Sequence, residues 1–337
     1  MFFVIKEGND KSMKVGIFGT GAYGLALTTI LIDNGIEVTM WTKFEEEKSL
    51  LNQTRKNEKL LPNFTLDSSV TITTRVEECA KDKDLLIIAI PLAFINGLCQ
   101  ELKEYVSDEV NICIASKGIE QNTFLFAHEI ISKYIDTTNI AILSGPSFAK
   151  DIILKNPIGL TLATNSVETR EIIKRVLVTD YIKIDYINDM IGTEICGAVK
   201  NVIAIASGML DGLEVSDSTK AMFLTKSLSD IQKIINNLGG NIATSFSYAG
   251  IGDLILTCNS EGSRNYTFGK MLGKGIHKEE LDHYLQNTTV EGYYTLHAVY
   301  ELLNKNNIPI LLISILYNIV NGDESPNKIL ECLCSNS

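Results

Sequence analysis

Lys200 is the residue in this sequence best suited to proton transfer. It lies in the middle of a segment of apolar and small residues, 196–203, which is typical of a buried helix. A lysine held away from water has a lowered pKa, which brings its ammonium group closer to the pH at which it can exchange a proton. A mid-helix lysine can instead extend its apolar stem and keep its charge in solvent. The pattern alone leaves both interpretations open.

Asp253 is a single carboxylate inside the apolar segment 246–258. A buried carboxylate needs a partner, and a nearby lysine is the simplest one. An Asp that follows Gly252 also suits the cap of a helix, so a purely structural role remains open.

Arg264 stands between two hydrogen-bonding neighbours, Ser263 and Asn265. A guanidinium group with hydroxyl and amide donors beside it suits a phosphate oxyanion. The same three residues also fit a surface turn, which their composition favours slightly.

Three glycines in G-x-G-x-x-G spacing, Gly19, Gly21 and Gly24, follow a short apolar strand predicted at residues 15–18. A helix is predicted at Ala22–Asp33, and a second strand follows it. In this context the first glycine makes a tight turn, the second lets a pyrophosphate approach the backbone, and the third lets helix and strand pack closely. The free N–H groups of the helix N-terminus favour the phosphates. The segment predicts a dinucleotide-binding site.

The end of the second strand, predicted at residues 36–41, bears on the choice of cofactor. Proteins strict for NAD usually place an acid there to hold the ribose 2′-hydroxyl. This sequence has Lys43, and its acids at 45–47 lie slightly late. Lys43 can meet a 2′-phosphate, so we expect NAD or NADP to bind, with NADP tolerated or preferred. The alternative is a solvated surface lysine.

Strand and helix patterns alternate up to residue 187, with helices predicted at 44–59 and 123–134 among others. Such alternation predicts an α/β fold with a Rossmann-like, doubly wound parallel sheet. Ligands on these sheets lie outside the carboxyl ends of the strands. Lys117 and Gly145 follow predicted strands, so we expect them to face the cofactor crevice.

The pattern changes near Asn188, after which helical segments continue with almost no strand signal. We therefore predict a dinucleotide-binding domain at residues 1–187 and an all-helical C-terminal domain, for substrate and catalysis, at residues 188–337. Residues 1–12 precede the first strand, and we expect them to form a poorly ordered extension.

Composition restricts the classes of partner. The net charge of −11 argues against binding to nucleic acid or to an anionic membrane. The longest apolar stretch near the C-terminus, 308–320, is shorter than the ~20 residues that span a bilayer, so we predict no membrane insertion. Seven scattered cysteines without a C-x-x-C motif suit a reducing cytoplasm, and four histidines without metal spacing predict no metal site.

Seven blocks together resemble NAD(P)-dependent glycerol-3-phosphate dehydrogenase, with the bacterial soluble type as the best match. The blocks are residues 19–24, 116–120, 144–149, 197–201, 250–254 with Thr257, 263–265 and 290–292. They occur in the order and rough spacing of that family, and the resemblance covers nearly the whole chain from Met13.

The resemblance implies hydride transfer between NAD(P) and the pair sn-glycerol 3-phosphate and dihydroxyacetone phosphate, supplying glycerol 3-phosphate for phospholipid synthesis. It implies Lys200 as proton donor and acceptor, aided by Lys117 and Asp253, with the substrate phosphate nearest Arg264 and Asn265. The implied substrate-binding residues are Lys117, Gly145, Ser147, Lys200, Asp253, Thr257, Ser263, Arg264 and Asn265. The cofactor-binding residues, including the three glycines, are Gly19, Gly21, Ala22, Tyr23, Gly24, Lys43, Lys117, Ala149, Arg264 and Glu291. The family is commonly dimeric, so we expect a homodimer.

Two other functions fit part of the pattern. A dehydrogenase of the 3-hydroxyacid or 6-phosphogluconate type shares the glycine turn, the helical second half and a Lys-Asn pair, but residues 250–265 argue against it. A non-enzymatic NAD(P)-binding sensor would not need Lys117, Lys200 and Asp253 together.

Overall fold

The computed structural model describes residues 12–335, so all of the predicted N-terminal extension except Ser12 lies outside the described residues. The strands are β1 (Lys14–Phe18), β2 (Glu37–Trp41), β3 (Thr71–Thr73), β4 (Leu85–Ile88), β5 (Ile112–Ile114), β6 (Ile140–Ser144), β7 (Ile158–Thr164) and β8 (Ile182–Ile187). They form one sheet in the order β3-β2-β1-β4-β5-β6-β7-β8. The strand order reverses between β1 and β4, which is where doubly wound sheets bind their ligands.

Helices cover the sheet and form the C-terminal half. In the first half they are α1 (Ala22–Asp33), α2 (Glu45–Thr54), α3 (Val76–Ala80), α4 (Ile95–Leu102), α5 (Ala127–Ser132), α6 (Ala149–Ile153) and α7 (Val167–Leu177). In the second half they are α8 (Met190–Gly212), α9 (Asp217–Asn237), α10 (Asp253–Cys258), α11 (Arg264–Gly273), α12 (Lys278–Asn287), α13 (Glu291–Lys305), α14 (Leu311–Asn321) and α15 (Lys328–Cys334). Short helical turns lie at Leu92–Phe94, Ile242–Phe246 and Tyr248–Gly252.

The sheet has an apolar layer on each face, as expected for strands of continuous apolar residues. Along β4, Leu85 and Ile87 contribute to the core on one face, while Leu86 and Ile88 contribute to the core on the other. All four of these side chains are buried, which explains why the strand lacks polar alternation.

The long helix α8 is the centre of the helical half. It packs against α11 almost backbone to backbone, because a Cβ at Gly208 would lie 2.0 Å from the carbonyl oxygen of Tyr266, and one at Gly269 would lie 1.9 Å from that of Ile205. By length and apolarity α8 could cross a membrane, but 89% of its apolar window is buried inside the protein. It is therefore placed as a core helix.

The sheet is parallel, as predicted, except at one pair. β6 and β7 are antiparallel, whereas the other neighbouring strands are parallel. The connection between β6 and β7 contains only the five-residue helix α6. A parallel neighbour would need a full crossover, so this short connection returns the chain in the opposite direction.

Two predicted helices are wrong in extent. The helix predicted at 123–134 is limited to α5, because Phe124 has a φ of +62° and Phe126 is extended at the helix N-cap. The helix predicted at 44–59 stops at Thr54, since Arg55 takes a left-handed conformation with a φ of +55°. The short helices α6 and α15 were not predicted.

Candidate active site

The three glycines of the turn after β1 differ in conformation and in their surroundings. Gly19 has a φ of +124°, and its N–H donates to the carbonyl of Trp41 at 2.9 Å, so the turn is tight and tied to β2. A Cβ at Gly24 would lie 2.3 Å from the carbonyl oxygen of Gly19, so helix and turn touch there. At Gly21, by contrast, a Cβ would meet no atom within 4 Å.

The open side of this turn fits a dinucleotide. Gly21 is the N-cap of α1, and no side chain caps the first turn of that helix. Its N–H groups are therefore available to an anion, which the positive end of the helix dipole also attracts. Ala22 and Tyr23 begin α1, and Ala149 begins α6, which packs against α1.

The end of β2 places Lys43 on the surface, apart from the lysines described below. Two of the three late acids are engaged with other groups: Glu47 accepts a hydrogen bond from the hydroxyl of Thr42, and Glu45 pairs with Lys48. Lys43 is thus an exposed positive charge just past the end of β2, where a ribose would lie in a doubly wound fold.

Two lysines share one carboxylate at the centre of the site. The ammonium of Lys200 lies 2.7 Å from Oδ1 of Asp253, and the ammonium of Lys117 lies 2.7 Å from Oδ2. Lys200 also donates to the hydroxyl of Thr257 at 2.9 Å. Lys117 follows β5, whereas the other three residues belong to the helical half, so the cluster joins the two halves of the chain.

Local packing explains how these groups meet. The Lys200 side chain is only 8% exposed on the buried face of α8, so it does not extend into solvent. The stem of Lys117 crosses α8 at Gly197, where a Cβ would lie 3.4 Å from its Cγ. Asp253 is the first residue of α10 and follows a kink at Gly250, where a Cβ would lie 2.2 Å from the carbonyl oxygen of Ser245.

Burial and charge set the protonation of the three groups. Burial, reinforced by the ammonium of Lys117, lowers the pKa of Lys200 to about 8, although Asp253 opposes the shift. Burial also acts to lower the pKa of Lys117, but the carboxylate of Asp253 outweighs it, so that pKa is raised. Burial acts to raise the pKa of Asp253, but the two ammonium groups outweigh it and hold that pKa below its usual value. Lys200 is therefore the member able to exchange a proton near neutral pH.

The N-terminus of α11 presents the predicted phosphate ligands. Arg264 is exposed in the first turn, and Ser263 is the N-cap, whose hydroxyl oxygen accepts from the N–H of Tyr266. Asn265 is buried, and its Oδ1 accepts from the N–H of Gly292 at 2.8 Å, which leaves its NH₂ group as the end able to donate. This helix end offers cationic, amide and backbone donors together, a combination suited to an anion.

Ser147 and Gly145 lie where β6 ends. Gly145 has a φ of +153°, and a Cβ there would lie 2.7 Å from the carbonyl oxygen of Gly159, so only glycine fits. The hydroxyl of Ser147 donates to the carbonyl of Gly145 at 3.1 Å and is also bonded to the hydroxyl of Tyr23.

The structure adds contacts that local patterns do not contain. Asn201, next to Lys200, donates to Glu291 at 3.0 Å, which brings α13 to the site. Thr257, one of the implied substrate-binding residues, has its oxygen bonded to Lys200 and its proton directed to the carbonyl of Asp253. A pair between the buried Glu194 of α8 and the partly buried His128 of α5 also links the two halves. An isolated acid on an otherwise apolar helix was the one available signal for this pair.

Comparisons with known proteins match both halves of the chain to one family. The family model for the N-terminus of NAD-dependent glycerol-3-phosphate dehydrogenase matches residues 14–170, and the model for its C-terminus matches residues 189–331. The chain is 34% identical to glycerol-3-phosphate dehydrogenase [NAD(P)+] of Staphylococcus haemolyticus, over 92% of this chain and 94% of that protein. It is 33% identical to the protein of the same name from Leptospira biflexa, over 96% of this chain and 98% of that one.

A solved structure extends the similarity to the fold. The crystal structure of glycerol-3-phosphate dehydrogenase from Coxiella burnetii superposes with a TM-score of 0.90 at 27% identity, covering 96% of this chain and 99% of that one. Both halves, their order and nearly the full length are therefore shared. The chain belongs to the NAD-dependent glycerol-3-phosphate dehydrogenase family.

Proposed function

We propose that this protein is an oxidoreductase that interconverts dihydroxyacetone phosphate and sn-glycerol 3-phosphate with NAD(H) or NADP(H). The observation that carries the proposal is the buried Lys200, held between Asp253 and Thr257 and facing a second lysine, Lys117. Family membership supports the substrate pair and the cofactor.

The cofactor half of the site fits a dinucleotide. When bound, the nicotinamide supplies the hydride for the substrate carbonyl carbon. The residues that would hold the cofactor are those at the open turn, where Gly21 leaves space and the first turn of α1 leaves N–H groups unpaired by side chains. The other residues that the resemblance assigns to the cofactor are Ala22, Tyr23, Lys117, Ala149, Arg264 and Glu291, and Lys43 would meet a ribose 2′-phosphate.

Lys200 supplies the proton in the direction of reduction. Its ammonium donates to the oxygen that gains negative charge at the substrate carbonyl, and neutral Lys200 takes the proton back in the reverse direction. Asp253 and Thr257 fix the position of its nitrogen, since each bonds to it directly. Lys117 contributes a positive field that favours the oxyanion and helps to lower the pKa of Lys200.

Substrate position is set from both halves of the chain. Arg264 and the NH₂ group of Asn265 bind the phosphate at the N-terminus of α11, with the hydroxyl proton of Ser263 beside them. Gly145 and Ser147 approach the substrate from the end of β6. Holding the reacting carbon in this way replaces a random encounter by a fixed geometry.

The metabolic role, oligomeric state and cellular location of the enzyme are part of the same proposal. Glycerol 3-phosphate made here would supply phospholipid synthesis. The resemblance set out above supports a homodimer, which sedimentation velocity would test. The cysteines described are all free and six of them are buried, which suits the reducing cytoplasm, and cell fractionation would test that location.

The decisive assay follows NADH and NADPH oxidation by absorbance with dihydroxyacetone phosphate as substrate. We expect turnover with both cofactors, and we expect Lys43→Ala to raise the KM for NADPH while leaving that for NADH unchanged. A strong preference of the wild type for NADH would refute the role of Lys43 alone. Binding of the cofactors without turnover of this substrate would refute the proposed reaction.

A further inference from the structure

The hydroxyl group of Tyr23 has a defined hydrogen-bond direction. Its Oη lies 3.1 Å from Oγ of Ser147, and that Oγ lies 3.1 Å from the carbonyl oxygen of Gly145. A carbonyl oxygen can only accept, so the single proton of Ser147 is directed to Gly145. Tyr23 must therefore donate its own proton to Ser147.

This direction leaves the oxygen of Tyr23 as an acceptor. Its proton is engaged by Ser147, and its lone pairs remain available. Burial raises the pKa of Tyr23, although the ammonium of Lys117 opposes the shift, so the phenol stays protonated at neutral pH. The segment that contains Ser147 touches the reaction centre, since a Cβ at Gly252, next to Asp253, would lie 3.4 Å from Cγ of Pro146.

Helix α1 and the apolar core hold the side chain of Tyr23 in position. It occupies the first turn of α1, and its ring packs against the apolar core on that face of the sheet. Ser147 lies in the short segment between β6 and α6, and α6 packs against α1. The hydroxyl pair therefore lies at the carboxyl end of β6. The segment that contains Ser147 also reaches the start of α11, because a Cβ at Gly262 would lie 3.6 Å from the ring of Phe148.

The proposed substrate has one group that can donate a hydrogen bond to the oxygen of Tyr23. In dihydroxyacetone phosphate the ketone oxygen and the ionised phosphate accept hydrogen bonds, and the C1 hydroxyl is the O–H donor. We propose that Oη of Tyr23 accepts the hydrogen bond of the substrate C1 hydroxyl, so that the Tyr23–Ser147 pair selects for a ketone with a hydroxyl on the neighbouring carbon. The proposal rests on the reaction proposed above and adds a residue that determines its specificity.

The test compares two substrates, dihydroxyacetone phosphate and hydroxyacetone phosphate, which has a methyl group in place of the C1 hydroxymethyl group. For wild type we expect kcat/KM to favour the hydroxylated substrate by roughly 10-fold or more, the effect of one satisfied buried hydrogen bond. Tyr23→Phe removes only the hydroxyl and keeps the backbone and ring of this cofactor-binding residue, so it should reduce that preference by about 5- to 10-fold, through a loss on dihydroxyacetone phosphate alone. Ser147→Ala should reduce it too, since it removes the partner that fixes the phenol.

Tyr181→Phe is the matched control. Tyr181 also has a part-buried hydroxyl bond, to Asp33 at the far end of α1, and its removal should leave the preference unchanged. An unaltered preference in Tyr23→Phe, or an equal loss on both substrates, would overturn the proposal. If wild type turned over neither substrate, the proposed reaction itself would fail, which is a separate outcome.

Discussion

Lys117 and Asp253 are joined by an ion pair of 2.7 Å although they are 136 residues apart in the chain. Lys117 follows a strand of the sheet, and Asp253 begins a helix of the other half. The same carboxylate binds Lys200, so one acidic side chain determines how the cofactor side and the substrate side of the site meet. Catalysis in this account depends on the two halves being docked.

The first prediction concerns pH. Lys200 has a pKa of about 8 and must be protonated to donate during reduction, so kcat/KM for dihydroxyacetone phosphate should be constant below that pH and fall above it. In the oxidative direction Lys200 must be neutral, so kcat/KM for glycerol 3-phosphate should rise through the same pH.

The substitution Lys117→Met tests the assignment of that titration. Lys117 is a like charge that lowers the pKa of Lys200, so its removal should raise this pKa and move the falling limb to higher pH. The exposed Lys133 provides a control, since Lys133→Met should leave the limb in place. A limb that moves equally in both variants, or in neither, would show that another group titrates.

The second prediction concerns the phosphate. Arg264→Ala should raise the KM for dihydroxyacetone phosphate by about 10- to 100-fold, the effect of one charge-assisted hydrogen bond, with a smaller change in kcat. Lys274, exposed just beyond the other end of α11, is the control for a general loss of positive charge. If Lys274→Ala raised the KM as much as Arg264→Ala, the phosphate site would lie elsewhere.

The third prediction distinguishes the structural role of Gly24 from the cofactor-binding role of Gly21 in the same turn. Gly24→Ala places a Cβ 2.3 Å from a backbone oxygen, so it should lower the free energy of unfolding by at least about 1–3 kcal/mol, measured by urea denaturation. Gly21→Ala meets no protein atom within 4 Å and should retain stability. It should instead weaken NADH binding, measured by fluorescence titration, because its methyl group occupies the space left for the pyrophosphate. Equal loss of stability in both variants would contradict this division.

Local sequence patterns were sufficient for much of this fold. The glycine turn, the alternation of strands and helices, and the long apolar helix around Lys200 are all expressed within short segments, and the structure contains each of them. Features that depend on distant contacts were not predictable. The antiparallel pairing of β6 with β7 depends on how a connection folds back, and α6 is too short at five residues to show a helical period.

In the candidate site, too, some features are expressed in the local sequence and others depend on tertiary packing. The apolar segment around Lys200 is equally compatible with a buried ammonium and with one extended into solvent, and Asp253 suits either a lysine partner or a helix cap; the structure decides for burial and for the lysine. That Asp253 binds two lysines, and that Thr257 bonds to Lys200, are properties of tertiary packing. The backbone conformation of Phe124, which shortens the predicted helix at 123–134, likewise has no signal in residue type.

The central claim is that Lys200 transfers the proton, and the most direct test is the turnover of Lys200→Ala. We expect its kcat for reduction of dihydroxyacetone phosphate to fall by about 10²- to 10⁴-fold, the usual contribution of general acid catalysis. NADH binding, followed by fluorescence, should be unchanged, because Lys200 bonds to Asp253 and Thr257 and not to the glycine turn. A variant that binds NADH and reduces the substrate at the wild-type rate would contradict the claim.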